Sequence, residues 1–129
     1  MKQLNPREIN TTALAFLGDA VYEIYARKYV MDSGQQNADR LHKEAIKYVC
    51  ADGQAKAVKS LLKDFLTEEE AGLVRRARNR KTASKARSAD AVTYKLATAF
   101  EALMGFLYLD GQTQRLEEVA LEALKRIEE

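Results

Sequence analysis

Apolar residues recur at steps of three and four along most of this chain, the spacing that places them on one face of an α-helix. The pattern is clear from Thr11 to Met31, and it predicts a long helix there that ends at Asp32-Ser33-Gly34. The apolar ridge predicted for this helix consists of Leu14, Leu17, Val21 and Ile24.

A second long helix is predicted from Ala89 to Leu109, where Asp110-Gly111 is expected to end it. Its predicted ridge consists of Val92, Leu96, Phe100, Leu103 and Leu107. An amphipathic last helix is predicted from Thr113 to Glu129.

The middle of the chain carries shorter helical patterns. Residues 37–65 have a helical rhythm, and Asp52-Gly53 is expected to divide them into two helices. Thr67 followed by Glu70 forms a capping box that predicts the start of a further helix. Before the first long helix, Asn5-Pro6 predicts a short helical turn.

Composition agrees with a single all-α domain over residues 1–129. The chain has 129 residues, one proline, six glycines and no tryptophan, and we find no convincing strand pattern. Cys50 is the sole cysteine, so an internal disulfide is excluded; we expect this thiol to be a small buried side chain. The start of the chain lacks a signal-peptide pattern, and no apolar run approaches the roughly 20 residues that span a bilayer. We therefore expect a cytoplasmic protein.

Positive charge is concentrated in one place. Residues 75–87, here called the basic segment, contain seven basic and no acidic residues, although the net charge of the whole chain is only +2. Residues 78–85 lose the apolar periodicity and are expected to form an exposed loop. The segment could simply complement a helix C-terminus, but seven unbalanced charges favour a polyanionic partner. The candidate phosphate-binding residues are Arg76, Arg78, Arg80, Lys81, Lys85 and Arg87.

Two acids interrupt the two long apolar helices. Asp19 follows Gly18, and Glu101 lies four residues before Gly105, each among small and apolar neighbours. We call Asp19 and Glu101 the acidic pair. If the acid-bearing sides of these helices face each other or a dimer partner, the carboxylates repel and require a cation. Hard oxygen ligands favour Mg²⁺ or Mn²⁺. The alternative is two ordinary solvated acids whose neighbouring glycines only permit close helix packing.

These two segments resemble a known family. Residues 14–21, Leu-Ala-Phe-Leu-Gly-Asp-Ala-Val, look like the signature helix of the ribonuclease III family, and residues 98–105 resemble its second catalytic helix. The resemblance covers essentially the whole chain, and we expect the form of that family that lacks a double-stranded-RNA-binding domain. It implies an all-helical bundle that forms a symmetric homodimer.

The resemblance also implies an activity, namely Mg²⁺-dependent cleavage of double-stranded RNA that leaves 5′-phosphate and 3′-hydroxyl ends, in maturation of large-subunit (23S) ribosomal RNA. Asp19 and Glu101 take the positions of two metal-binding catalytic acids. Two further acids of the family pattern are absent, because Ala15 and Thr98 stand there.

Two other functions are compatible with the same sequence features. Loss of two acids leaves open an inactive RNA-binding module of the same fold, and the charge pattern alone leaves open a helical protein that binds an acidic partner. The only histidine, His42, has no nucleophile near it in the sequence and is interpreted as structural or RNA-contacting. The predicted dimer interface uses the small-residue side of the first long helix near Asp19 together with neighbouring apolar surface.

Overall fold

The computed structural model describes residues 1–80 and 89–129 of the chain. Within these ranges it contains helices and no strands, which confirms the all-α prediction. A short 3₁₀ helix, Pro6–Glu8, is followed by six α-helices: α1 (Thr11–Met31), α2 (Ala38–Val49), α3 (Ala51–Asp64), α4 (Glu68–Arg78), α5 (Ala89–Leu109) and α6 (Thr113–Glu128). None of the described helices is long and apolar enough to cross a membrane.

Side-chain caps explain where several helices begin. Asn10 accepts a hydrogen bond from the Ala13 amide at the start of α1, and Thr67 and Glu70 form the predicted capping box at the start of α4. After α5, Gly111 adopts a φ of +72°, a left-handed conformation that glycine adopts without steric penalty. These local signals are the reason that the two long helices have the predicted bounds.

The predicted break at Asp52-Gly53 is wrong, because the chain turns at Cys50 instead. Cys50 is extended, ends α2, and caps α3 by accepting a hydrogen bond from the Gly53 amide to its Sγ at 3.4 Å. The thiol is thus a partly exposed capping group and not the buried apolar side chain that we expected. Gly53 lies inside α3, where a Cβ atom would stand 2.4 Å from the Lys47 carbonyl oxygen. Its small size allows α3 to fold tightly against the end of α2.

Helix α5 forms the centre of the bundle and packs against α1, α3, α4 and α6. Its middle is buried on nearly every side, so the single predicted apolar ridge describes α5 incompletely. Tyr22 of α1 meets Phe100 of α5 edge to face, with ring centroids 4.8 Å apart. The other large, fully buried side chains include Leu14, Leu61, Leu103, Met104, Leu107 and Leu124.

The predicted apolar ridges are only partly correct. Leu14 and Val21 are buried, but Ile24 is 68% exposed and Phe16 of the same helix is 84% exposed. On α5, Val92 is likewise exposed, although the rest of its predicted ridge is buried. Helix α1 therefore carries an apolar surface that the described residues do not cover.

Candidate active site

The crossing of α1 and α5 positions the candidate site. A Cβ atom on Gly18 would stand 1.7 Å from the Glu101 carbonyl oxygen, and a Cβ atom on Gly105 would stand 2.0 Å from the Leu14 carbonyl oxygen. Neither approach is sterically possible for any residue other than glycine. The two backbones are thus in direct contact, and Asp19 lies one residue after this contact on α1.

The acidic pair comes together at this crossing. Glu101 is partly buried, and burial together with the charge of Asp19 and a hydrogen bond with its side chain raises the pKa of Glu101 to about 7. Asp19 itself is exposed. Two carboxyl groups that are 82 positions apart in the chain therefore share one site, half buried and open to solvent on the Asp19 side.

A third polar side chain adjoins the acidic pair. Gln54 of α3 lies beside Glu101, and its amide opposes the rise in the pKa of that carboxyl group. Its side chain is almost fully buried, with 2% exposed, and its Nε2 donates to the Val49 carbonyl oxygen at 2.9 Å. Sequence reasoning missed Gln54, because nothing in the pattern of α3 distinguishes a core glutamine from a surface one.

Within residues 1–80 and 89–129, no third carboxylate joins the pair in a group that could hold a metal ion. Ala15 is buried against the core, and the Thr98 hydroxyl donates to the Tyr94 carbonyl oxygen of its own helix at 2.9 Å. Among the residues that the structure describes, no group of three or more histidine, cysteine, aspartate or glutamate side chains could hold a metal ion. Two carboxylates fit an ion that keeps several waters, as Mg²⁺ does.

The described part of the basic segment lies near one end of α1. Arg76 is exposed and Arg78 partly exposed on α4. Arg80, just after α4, donates to the Thr12 hydroxyl and, at 3.4 Å, to the Asn10 side-chain oxygen. Thr12 precedes Asp19 by two helical turns, or about 10 Å along α1. The predicted RNA-binding residues Lys81, Lys85 and Arg87, and most of the predicted exposed loop, lie outside the described residues.

Comparison with known proteins settles the family. The Ribonuclease III domain family matches residues 12–112, a range that contains both members of the acidic pair. The chain belongs to the ribonuclease III family. Members of this family are endoribonucleases that act on double-stranded RNA and generally use a divalent metal ion.

Within the ribonuclease III family, the similarity extends over nearly the whole chain. Mini-ribonuclease 3 of Enterococcus faecalis is 44% identical over 124 residues, which cover 95% of this chain and 94% of the relative. Mini-ribonuclease 3 of Symbiobacterium thermophilum is 43% identical over 128 residues, which cover 99% of this chain and 98% of that relative. A crystal structure of a Fusobacterium nucleatum protein matches with a TM-score of 0.77 at 35% identity, over 92% of this chain and 94% of that one. These matches confirm the resemblance and the ribonuclease III fold.

His42 and the tyrosines are the other candidate residues of this ribonuclease III domain. His42 is exposed on α2, where it lines a cavity of about 220 Å³ with residues of α1 and α2. The tyrosines differ in burial. Tyr22 and Tyr48 are buried, whereas Tyr94 and Tyr108 are exposed on α5. The Tyr22 hydroxyl donates to the Tyr48 carbonyl oxygen, and the Tyr48 hydroxyl donates to Glu128, so neither of these hydroxyls donates to the acidic pair.

Proposed function

We propose that this chain is a Mg²⁺-dependent endoribonuclease that cleaves double-stranded RNA and leaves 5′-phosphate ends, and that it acts in the cytoplasm in maturation of large-subunit (23S) ribosomal RNA. Residues 1–129 serve as one catalytic domain in this proposal. The observation that carries it is the backbone contact of α1 and α5 at Gly18 and Gly105, which brings the carboxyl groups of Asp19 and Glu101 together.

The residues present fit a hard divalent cation. Asp19 and Glu101 would hold the ion, and water and phosphate oxygens would complete its coordination, with Mn²⁺ as a substitute for Mg²⁺. Mutual repulsion of two partly desolvated carboxylates favours binding of a cation between them. When bound, such an ion supplies activation of water and neutralisation of charge on the phosphodiester.

The protein itself contributes position and charge. Helices α1 and α5 fix the two carboxylates on rigid backbone, so little reorganisation is needed when substrate binds. The proposed RNA contacts are Arg76, Arg78, Arg80, Lys81, Lys85 and Arg87. Their guanidinium and ammonium groups bind phosphates of the duplex, which gives affinity and register with little sequence preference.

We place a second copy of the chain against α1. Phe16, Ala20 and Ile24 are exposed and four residues apart, so they share one face of the helix. An uncovered apolar face of this kind is typical of an interaction surface. A homodimer that buries it would also bring the second acidic pair close to the same duplex.

Charge-removing substitutions in the acidic pair test the activity. Asp19→Asn and Glu101→Gln should each reduce the rate of cleavage of long duplex RNA in Mg²⁺ at least about 100-fold, while binding of the duplex in EDTA changes little. Cleavage by the unmodified chain should stop in EDTA and return with Mg²⁺. Full activity of both variants would refute the proposal.

The same assay distinguishes the endoribonuclease from the second candidate function, an inactive RNA-binding module. The absence of carboxylates at Ala15 and Thr98 favours that candidate. Tight binding of duplex RNA by the unmodified chain without cleavage, in either Mg²⁺ or Mn²⁺, would support the module and exclude the enzyme.

A further inference from the structure

The charge of Arg80 is held in place by neutral groups. Arg115 and Arg126 of the same chain form salt bridges with carboxylates. Among the described residues, Arg80 pairs with no carboxylate, and its side chain donates instead to Asn10 Oδ1, at 3.4 Å, and to the Thr12 hydroxyl. Neutral acceptors orient a guanidinium group without cancelling its charge, so Arg80 stays attractive to an anion.

The two contacts of Arg80 use a single nitrogen of its guanidinium group. Both bonds come from Nη1, which has two hydrogens, so this nitrogen is fully used. In the part of the chain that the structure describes, no oxygen accepts a hydrogen bond from Nε or Nη2 of this exposed side chain. The N–H groups of these two nitrogens form a fork that matches two oxygens of a phosphate group. Arg80 is therefore oriented for bidentate binding of a phosphate.

Both acceptors lie at the start of the helix that carries Asp19. Asn10 is the N-cap of α1, and its side-chain oxygen also accepts from the Ala13 amide at 2.9 Å, so the helix fixes its position. Thr12 is an exposed residue in the first turn of α1. The bonds of Arg80 thus fasten the chain that follows α4 to the first turn of α1.

This anchoring places Arg80 at a set distance from the acidic pair. Thr12 and Asp19 are seven residues apart, which is almost two full turns, so they share one face of α1 with a rise of about 10 Å between them. A duplex that lies across Asp19 presents backbone phosphates on both sides of the bond that is cleaved. The phosphate that reaches Arg80 is therefore a neighbouring one and not the reacting one.

We propose that Thr12 is a positioning residue for RNA, whose hydroxyl holds the Arg80 guanidinium group so that its Nε–Nη2 edge binds a backbone phosphate that is not cleaved. The inference rests on the proposed function and deepens it, because it names the contact that sets the position of the duplex relative to Asp19. An arginine that is ordered before RNA binds loses less side-chain entropy on binding. Thr12 acts through Arg80 and touches no reacting atom.

The first test measures the affinity for a long RNA duplex in EDTA. Thr12→Val keeps the branched shape of the side chain and removes its oxygen, so binding should weaken about 5- to 10-fold. Thr12→Ser keeps the hydroxyl and should bind within about twofold of the unmodified chain. Thr113→Val, at the start of α6, is the matched control and should change nothing.

A double-mutant cycle separates the positioning of Arg80 from a structural role of Thr12. Arg80→Gln should weaken binding about 10-fold or more and lower the slope of log affinity against log salt concentration by about one unit. Thr12→Val should leave this slope unchanged, because the charge remains. In the Arg80→Gln background, Thr12→Val should have no further effect on affinity. In Mg²⁺, Thr12→Val should raise KM for the duplex about 5- to 10-fold and leave kcat within about twofold.

Unchanged affinity of Thr12→Val, or an equal loss of affinity from Thr12→Val with and without Arg80, would overturn the role of Thr12. If the valine variant does not fold, Thr12→Ala removes the same oxygen and takes its place in both measurements. Either negative result leaves the proposed function intact as long as the unmodified chain binds and cleaves duplex RNA. Failure of the unmodified chain to cleave any duplex in Mg²⁺ or Mn²⁺ would instead refute the proposed function.

Discussion

At the scale of single residues, the Glu101 carboxyl group differs from an ordinary surface glutamate. Burial first, and the neighbouring Asp19 second, raise its pKa from 4.5 to about 7. At a pH between 4.5 and 7, the folded protein therefore binds more protons at this carboxyl group than the unfolded protein does. The contribution of this group to stability is therefore fully present below about pH 4.5 and is lost as the pH rises through 7.

This linkage predicts that the metal-free protein becomes less stable as the pH rises from 5 to 8. The shift corresponds to about 3 kcal/mol for a fully buried group, and solvent screening of this partly buried carboxyl reduces the expected loss to about 1 to 2 kcal/mol. Urea unfolding in EDTA across this pH range measures it. Glu101→Gln removes the titrating group and should flatten the dependence; an unchanged slope in this variant would contradict the assignment.

Part of the site was predictable residue by residue. Asp19 and Glu101 stand out because each is a single acid within an apolar helix, and the family resemblance concerns the same positions. Gln54 was not predictable, because its significance depends on a contact with Glu101, 47 residues later in the chain. Such a contact follows from how α3 packs on α5, which a local pattern does not encode.

At the scale of the helices, the contact between α1 and α5 at Gly18 and Gly105 sets the distance between the segments that carry Asp19 and Glu101. Each glycine faces a backbone carbonyl of the opposite helix. Backbone cannot move aside as a flexible side chain can. Any added side chain at either position must therefore separate α1 from α5.

We predict that Gly18→Ala destabilises the protein by about 3 kcal/mol or more and reduces cleavage even where the protein remains folded, because the acidic pair is pulled apart. Gly72→Ala is the control. Its Cβ atom would meet only the flexible end of Arg76, at 3.4 Å, and it lies within α4, so alanine should stabilise the fold by about 0.5 to 1 kcal/mol. Thermal unfolding of both variants provides the comparison. An unfolding midpoint of Gly18→Ala equal to that of the unmodified chain would show that α1 and α5 are not in contact.

The helix bounds were largely predictable, since caps and turn residues act over a few positions. The bounds of α1 and α5 agree with the predictions, and Thr67 caps α4 as expected. The break at Cys50 was not predictable, because Asp52-Gly53 has the composition of a turn and the need for a small residue against Lys47 arises only in the folded chain. The buried face of α1 was only partly predictable for a related reason, since periodicity cannot distinguish an apolar face that meets the core from one that stays exposed.

At the scale of the whole molecule, the exposed side of α1 predicts the oligomeric state. Phe16→Glu places a charge on the proposed dimer surface, and light scattering at micromolar concentration should then report a monomer where the unmodified chain is a dimer. Ile46→Glu, at an exposed apolar position of α2, is the control and should remain dimeric. A dimer that survives Phe16→Glu would place the interface elsewhere.

The basic segment predicts how RNA binding responds to salt. Each phosphate contact that is removed should lower the steepness of the salt dependence by about one unit in a plot of log affinity against log salt concentration. Replacing Arg76, Arg78 and Arg80 together by glutamine should thus weaken binding at low salt and flatten the plot. Lys125→Gln, on α6, should leave the slope unchanged, and equal slopes for all three proteins would assign RNA binding to another surface.

The placement of the acidic pair at the contact between α1 and α5 has a kinetic consequence. Both helices belong to the core of the bundle, and the amide protons around their contact point should exchange with deuterium only when the entire domain opens. Partial opening at the periphery would leave the proposed active site assembled. Heat inactivation and global denaturation should accordingly follow one and the same time course.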